Sequence, residues 1–216
     1  MARTAASNAI DGKAAIKALT KADPILGRAI KRHGAYAAAI RRGRTPFELL
    51  AHAVINQQLS GKAAATIEAR LVASIGGKLT PEAVVAASFD TLRAAGLSRA
   101  KATTLQDLAA KTLDGTIPGF RKLNGMSDDE VIEHLTAVKG VGVWTAQMFL
   151  MFSLARPDIM PVTDFGVRKG FQRVYGHTEL PAPKFILAHA EIWRPWRSVA
   201  SWYLWRAADT KFATPD

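Results

Sequence analysis

The residue most suited to chemistry in this 216-residue chain is Asp164, in the stretch PVTDFGVRKG. An Asp directly before a helical segment is in itself a common N-cap, and that role is compatible with a catalytic one. The positive end of the helix dipole favours a negative charge at this place. A fixed negative charge in turn stabilises positive charge that develops in a reacting substrate. Asp164 is also the only carboxylate in VTDFGV, since Thr163 precedes it.

A second candidate site is the stretch TAVKGVGVWTAQM, residues 136–148. Its apolar residues recur with helical spacing on both sides, yet Gly140 and Gly142 lie where each destabilises a helix by about 1 kcal/mol relative to alanine. The pattern predicts two helices joined by a tight turn, with uncovered amides at the start of the second helix. Such amides bind a phosphate without any side chain. The alternative is an ordinary helical corner whose glycines only allow close packing.

The net charge and the composition of the chain limit which binding partners and which catalytic groups are possible. The chain has 29 Lys and Arg against 18 Asp and Glu, a formal charge of +11, and 49% hydrophobic residues. Such an excess of positive charge favours a polyanionic partner, most commonly nucleic acid, although solubility or a genome's arginine usage also produces it. Cysteine is absent, which excludes disulfides, thiolate catalysis and iron–sulfur clusters. The five histidines are scattered, which gives little support for a metal site.

The elements that position these residues are predicted to be helices throughout, because capping signals recur and no segment alternates with a period of two. Ser127–Glu130 (SDDE) has capping-box spacing and opens a helix that is expected to end at Gly140. The last helix is expected to have Pro195 at its first position. The predicted ranges are Thr80/Pro81 to Ala95, Ser98 to about Thr112, Ser127 to Gly140, Gly142 to before Pro157, and about 165–175, 184–192 and 196–208.

Several segments together resemble one family. VKGVGVWTAQM is similar to the helix-hairpin-helix of DNA glycosylases, and PVTDFGVRKG to the loop that carries their catalytic aspartate. AHAVINQQLSGKAA, GLSRAKATTLQDLA and RPWRSVASWYLW are similar to further segments of the same family, in the same order. The chain thus resembles the helix-hairpin-helix (HhH-GPD) DNA glycosylases, in their AlkA-like 3-methyladenine branch, over roughly residues 20 to 210.

The resemblance implies an all-α fold with two helical lobes and a DNA-binding cleft between them, without an N-terminal β domain. Residues 1–216 form a single compact glycosylase unit in this interpretation. Lobe A covers 46–156 and contains the hairpin 136–148. Lobe B combines 1–45 with 157–216.

The implied activity is that of a monofunctional glycosylase of base excision repair. It would flip out alkylated purines of the 3-methyladenine and 7-methylguanine type from double-stranded DNA and hydrolyse their N-glycosidic bond. Asp164 would stabilise the oxocarbenium ion or activate the attacking water. Trp144 occupies the position at which bifunctional relatives carry a nucleophilic lysine, so no AP lyase activity is expected. The alternatives are a glycosylase for another lesion, such as ethenoadenine or hypoxanthine, and a non-catalytic DNA-binding module.

The resemblance also assigns binding roles. The base pocket is assigned to Trp144, Met148 and Trp205. Contacts to the DNA backbone are assigned to Gly140, Gly142, Val143 and Thr145. The wedge that fills the gap left by the flipped base is assigned to the segment Gln57, Gln58, Leu59 and Ser60, with either Gln58 or Leu59 as the plug. A structural Na⁺ or K⁺ is expected on the backbone carbonyls of Thr136, Val138 and Val141.

The remaining expectations concern cofactors, partners and location. No cofactor is expected for catalysis. The expected partner is double-stranded DNA that contains alkylated bases, bound by a monomer. Neither a transmembrane segment nor a secretory signal is indicated, so a cytoplasmic protein is expected, associated with the nucleoid if the source is a bacterium.

Overall fold

The computed structural model describes residues 10–40 and 43–209, and within these ranges the regular structure is helical, with no strand. The prediction of an all-α fold is confirmed. None of the helices in this described part is long and apolar enough to cross a membrane. The predicted ranges 1–216, 1–45 and 157–216 lie in part outside the described residues.

Thirteen α-helices and one 3-10 helix follow each other along the described chain. The α-helices are α1 (Gly12–Ala22), α2 (Pro24–His33), α3 (Pro46–Asn56), α4 (Gly61–Ser74), α5 (Pro81–Ala86), α6 (Phe89–Ala94), α7 (Arg99–Leu113), α8 (Phe120–Gly125), α9 (Asp128–Thr136), α10 (Val143–Phe152), α11 (Phe165–Tyr175), α12 (Pro183–His189) and α13 (Arg197–Asp209). The 3-10 helix, Ala190–Trp193, follows α12.

The described chain divides into two compact units. The terminal unit consists of the described residues in 1–40 and 150–216, and the central unit of those in 41–149. Helix α10 begins in the central unit and ends in the terminal unit. The lobes expected from the sequence, with a cleft between them, stay a prediction.

Local capping sets where many of these helices begin. Ser127 and Glu130 form the expected capping box, in which the Ser127 side chain accepts from the Glu130 N–H and the Glu130 carboxylate accepts from the Ser127 N–H. Thr45 and Glu48 form a second capping box at α3. Each box satisfies two amides that the helix itself leaves without acceptors, which stabilises the N-terminus.

Several predicted helix boundaries are wrong. The range expected from Pro81 to Ala95 contains two helices, because Ser88 caps a new one by accepting from the Thr91 N–H at 3.1 Å. Helix α9 ends at Thr136 and does not reach Gly140, since the chain tightens into shorter turns there.

A further error is at the C-terminal helix. Pro195 is not its first residue, because the Trp196 carbonyl accepts the first helical bond, from the Ala200 N–H at 3.0 Å, and α13 begins at Arg197. The range expected at 184–192 is likewise divided between α12 and the 3-10 helix.

The core of the terminal unit forms around α11 and α13. Phe171 and Tyr203 are fully buried between these helices and their neighbours. Gly170 lets the two backbones approach closely: a Cβ at this position would lie 2.9 Å from the Leu204 Cα and closer still to the Leu204 carbonyl group. No side chain fits there, so this glycine sets the distance between the two helices.

A buried carboxylate ties the first helices of the terminal unit to the later ones. Asp23 is 4% exposed, and its Oδ1 caps α2 by accepting from the Ile25 and Leu26 N–H groups. Its Oδ2 accepts from the Tyr175 hydroxyl and from the Trp193 indole, and His189 Nε2 lies 3.0 Å away. Burial raises the pKa of this carboxyl, but the hydrogen bonds outweigh burial, so the pKa is lowered.

In the central unit, α7 packs against α3 and α5. Its residues Leu105 and Leu108 are fully buried. The helix therefore lies in the middle of the unit, where its polar side chains can reach the loops at the ends of neighbouring helices.

Candidate active site and nucleic-acid interface

Asp164 is the N-cap of α11, as its sequence context predicted. Its Oδ1 accepts a hydrogen bond from the Val167 N–H at 2.8 Å and a second from the indole Nε1–H of Trp205 at 2.7 Å. Both donors direct the positive ends of their N–H bonds at one carboxylate oxygen, which fixes the orientation of the carboxylate. A carboxylate oriented in this way is suited to electrostatic stabilisation of a cation. Its catalytic role stays a prediction.

Trp205 was assigned to the base pocket from the sequence, and the structure shows a further interaction of this residue. The residue is on α13, half-buried, and its ring lies 5.8 Å from that of Phe152 at an angle of 33°. Its N–H is directed at Asp164, which is 41 positions earlier in the chain. Trp205 therefore positions the candidate catalytic carboxylate, a role that sequence spacing did not reveal.

Gly166, in the first turn of α11, leaves room for this tryptophan. A Cβ there would lie 2.7 Å from the Trp205 Cδ1 and 3.1 Å from the Asp164 Oδ1. Gly166 and Gly170 were not singled out from the sequence. The available signal was two glycines four residues apart inside a helix, where each is unfavourable unless close packing requires it.

The turn between α9 and α10 contains the hairpin glycines. Gly140 has φ +79°, and a Cβ there would be closer to the Thr104 Oγ1 than two non-bonded atoms can come. Two independent constraints thus require glycine at this position. Gly142 is different, because its backbone is not left-handed and nothing within 4 Å would meet a Cβ. The packing of the described residues therefore gives no reason for glycine at 142.

The first turn of α10 is partly open to solvent. Val143 is 53% exposed and Trp144 is 44% exposed, whereas the Thr145 side chain is buried. Any contact of Thr145 with DNA would therefore use its backbone. Met148 is half-buried one turn after Trp144, and residues four apart share a helix face. Trp144 belongs to the central unit and Trp205 to the terminal unit, so their common pocket stays a prediction.

Helix α7 supports the hairpin turn. Asp107 accepts from the Lys139 N–H at 2.7 Å and from the Lys111 ammonium at 2.7 Å. Burial raises the pKa of Asp107, but the bonds from Lys111 and Lys139 outweigh burial, so the pKa is lowered. The turn is thus held to the core of the central unit by an ionised side chain that the sequence analysis did not identify.

The carbonyls expected to hold a monovalent cation lie at this same turn. Thr136 is the last residue of α9, and the Val138 carbonyl accepts from the Val141 N–H at 3.1 Å. A carbonyl oxygen has two lone pairs, so this bond is compatible with a cation as a second partner. No cluster of three or more His, Asp or Glu suited to a metal occurs in the described residues. The cation stays a prediction.

The expected wedge segment connects α3 to α4. Gln57 is the C-cap of α3, and Ser60 caps α4 by accepting from the Ala63 N–H at 3.3 Å. Between them, Gln58 has φ +56° and Leu59 is 39% exposed. A left-handed conformation is uncommon for a residue with a Cβ and is frequent at functional sites.

Comparison with known proteins decides the family. The family profile described as "HhH-GPD superfamily base excision DNA repair protein" matches residues 51–195. The chain belongs to the HhH-GPD superfamily. The resemblance inferred from the sequence is thereby confirmed.

Individual HhH-GPD relatives are similar over most of the chain. A DNA-3-methyladenine glycosylase of Schizosaccharomyces pombe is 38% identical over 167 residues, which make up 76% of this chain and 73% of that protein. The solved structure of S. pombe 3-methyladenine DNA glycosylase in complex with abasic DNA has a TM-score of 0.82 at 36% identity and covers 94% of this chain and 100% of that one. A DNA-3-methyladenine glycosidase of Bacillus halodurans also has a TM-score of 0.82 at 36% identity, covering 91% and 89%.

The HhH-GPD profile includes the wedge segment, the hairpin and Asp164, whereas Trp205 lies beyond its last matched residue, 195. For Trp205, the hydrogen bond to Asp164 therefore supports the assignment that the resemblance made.

Proposed function

We propose that this protein is a DNA glycosylase of base excision repair that hydrolyses the N-glycosidic bond of alkylated purines in double-stranded DNA. The observation that carries the proposal is the Asp164–Trp205 pair in a chain of this superfamily. Similar proteins are named DNA-3-methyladenine glycosylases, and one was solved with abasic DNA. A module that only binds DNA has no need of an oriented carboxylate beside an indole.

The chemistry follows from the charge of the substrate. An alkylated purine of the 3-methyladenine type is already cationic and leaves readily, so little general-acid assistance is needed. As the base departs, the deoxyribose acquires the positive charge of an oxocarbenium ion. Asp164, held by the Val167 amide and the Trp205 indole, stabilises that ion or activates the attacking water, or does both.

DNA binding is assigned to the hairpin. A phosphate would approach the backbone amides of the turn and of the first residues of α10, Gly140, Gly142, Val143 and Thr145. Open space beside Gly142 supports this assignment, because close approach of another backbone is a reason for glycine that internal packing does not supply. A Na⁺ or K⁺ on the carbonyls of Thr136, Val138 and Val141 would join the turn to the same phosphate.

The exposed indole of Trp144 offers an electron-rich face to a cationic base, with about 0.5–2 kcal/mol of favourable interaction. The same residue stands where a nucleophilic lysine would be needed for lyase chemistry. No Schiff base can form at this position, so we propose that the enzyme is monofunctional and leaves an abasic site.

Base release tests the proposed function. Purified protein is expected to release 3-methyladenine and 7-methylguanine from alkylated duplex DNA, because both bases are cationic and are attracted to the face of an aromatic ring. Released bases are separated and quantified by chromatography. Duplexes containing ethenoadenine, hypoxanthine or only normal bases complete the panel. Release of hypoxanthine or ethenoadenine alone would assign another lesion, and no release from any duplex would leave only DNA binding.

A separate assay of strand cleavage tests the proposal that the enzyme is monofunctional. After incubation, end-labelled DNA is expected to run as intact strands on a denaturing gel and to break only after alkali treatment. The reason is that hydrolysis leaves the sugar–phosphate backbone whole. Strands broken before alkali treatment, together with a borohydride-trapped covalent complex, would show lyase activity and contradict the assignment.

A further inference from the structure

The C-terminal end of α3 is held by a lysine from another helix. Lys101, in the first turn of α7, donates from its Nζ to the carbonyls of Ile55 and Gln57, each at 2.8 Å. These carbonyls are at the end of α3 and at the start of the wedge segment, Gln57–Ser60. The ammonium thus donates to one carbonyl in the last turn of α3 and to another directly after the helix.

The other carbonyls of this turn are satisfied by the chain itself. The Gln57 N–H donates to the Val54 carbonyl at 3.3 Å, and the Leu59 N–H donates to the Asn56 carbonyl at 3.2 Å. Each carbonyl from residue 54 to 57 therefore has a donor, and Lys101 provides two of the four. Between these bonds Gln58 is left-handed, a conformation that persists only when its surroundings hold it.

A lysine has the right chemistry for this place. Its ammonium is compact and has three donors, so it can converge on two carbonyls. Its charge also opposes the negative end of the α3 dipole, and α3 has no basic residue of its own in its last turn. Burial lowers the pKa of Lys101, which agrees with an ammonium withdrawn from water by these contacts.

We propose that Lys101 is a positioning residue that holds the wedge segment in the conformation that presents Gln58 and Leu59 to DNA. The proposal rests on the proposed function, since a plug is needed only by an enzyme that flips a base out of the helix. Lys101 itself need not touch DNA. Its effect is on the step in which the base leaves the stack and the gap is filled.

The test compares K101M with K78M. Methionine keeps the length of the side chain without a donor, and Lys78 is an exposed lysine of the same unit whose loss removes the same charge. In single-turnover assays on a methylated duplex, K101M is expected to be roughly 10- to 100-fold slower than K78M, as for a displaced positioning group. The two variants are expected to bind undamaged duplex equally, because phosphate contacts do not depend on the plug.

Two local readouts separate positioning from general stability. Hydrogen exchange is expected to accelerate in peptides covering residues 54–60 of K101M, but not in peptides covering the hairpin 136–148. The fluorescence of 2-aminopurine next to the lesion, which rises when stacking is lost, is expected to increase less with K101M than with K78M. K101Q, which retains a shorter donor, is expected to fall between K101M and the wild type.

Three outcomes would overturn the proposal: base release by K101M at the rate of K78M, unchanged exchange in residues 54–60, or exchange that accelerates equally throughout the central unit. If the wild type releases no base, the proposed function fails. The exchange experiment then still reports whether Lys101 holds the turn, because it needs no substrate.

Discussion

Replacing Asp164 with asparagine is expected to reduce base release by about 10²–10³-fold or more, as for the loss of a main electrostatic stabiliser. The asparagine Oδ1 can still accept from the Val167 N–H and from the Trp205 indole, and asparagine is a good N-cap. The second carboxylate oxygen becomes an amide NH2 group, and the negative charge is lost. Single-turnover release of 3-methyladenine measures the effect, and fluorescence anisotropy with an abasic-analogue duplex is expected to show that DNA binding is retained.

The D164A variant is the matched control for structure. Alanine removes both hydrogen bonds, one of which is the N-cap of α11, and is expected to destabilise the protein by about 1 kcal/mol and to lower its thermal midpoint by roughly 2–4 °C. D164N should melt close to the wild type. If D164N releases bases at the wild-type rate, Asp164 is not the catalytic carboxylate, whatever D164A does.

The second large effect is expected from G170A, in the middle of α11. The added Cβ would meet the backbone of Leu204, which cannot turn aside as a flexible side chain can. Overpacking of this kind costs about 1–3 kcal/mol, and the upper end is expected here because backbone is in the way. The thermal midpoint should therefore fall by roughly 6–12 °C. Base release should also fall, because α13 carries Trp205 away from Asp164 as the helices separate.

G125A serves as the control for a glycine-to-alanine change in a helix. Gly125 is the last residue of α8, and nothing within 4 Å would meet its Cβ. Its replacement is expected to be neutral or to stabilise by about 0.4–1 kcal/mol through the unfolded state. Differential scanning calorimetry compares the two variants. An equal midpoint for G170A and G125A would show that the approach of α11 to α13 is not set by glycine.

Features that depend on neighbouring residues could be predicted from the sequence. The capping box of Ser127 and Glu130 works within one turn, and Asp164 caps a helix whose range, 165–175, was predicted correctly. Gly140 was recognised because a turn between two helical patterns requires it. Local prediction failed where two sequence signals favoured different structures for the same residues. Ser88 lies inside a pattern that continues as a helix on both sides, but the backbone is extended at Ala87 and Ser88, and the Ser88 side chain caps a new helix by accepting from the Thr91 N–H.

Features that depend on distant residues could not be predicted. Trp205 lies 41 positions from Asp164, and Lys101 lies 44 and 46 positions from the carbonyls to which it donates. Neither residue type indicates by itself which partner it will meet. Trp205 was recognised as a site residue by resemblance, but its interaction with the carboxylate follows only from the packing of α11 on α13. Lys101 belongs to GLSRAKATTLQDLA, a segment in which the resemblance assigned no role to this lysine.

The buried carboxylate of Asp23 has a consequence for how activity is lost. Helix α11 is bonded at its first turn through Asp164 to Trp205, and at its last residue through Tyr175 to Asp23. A helix normally frays from its ends, but here each end has a partner on another helix. Fraying of either end would require breaking its own contact with another part of the terminal unit, so the candidate catalytic group is expected to stay ordered until that unit unfolds. Heating should therefore release the Asp164–Trp205 contact in the same transition in which the terminal unit unfolds, and not in an earlier one.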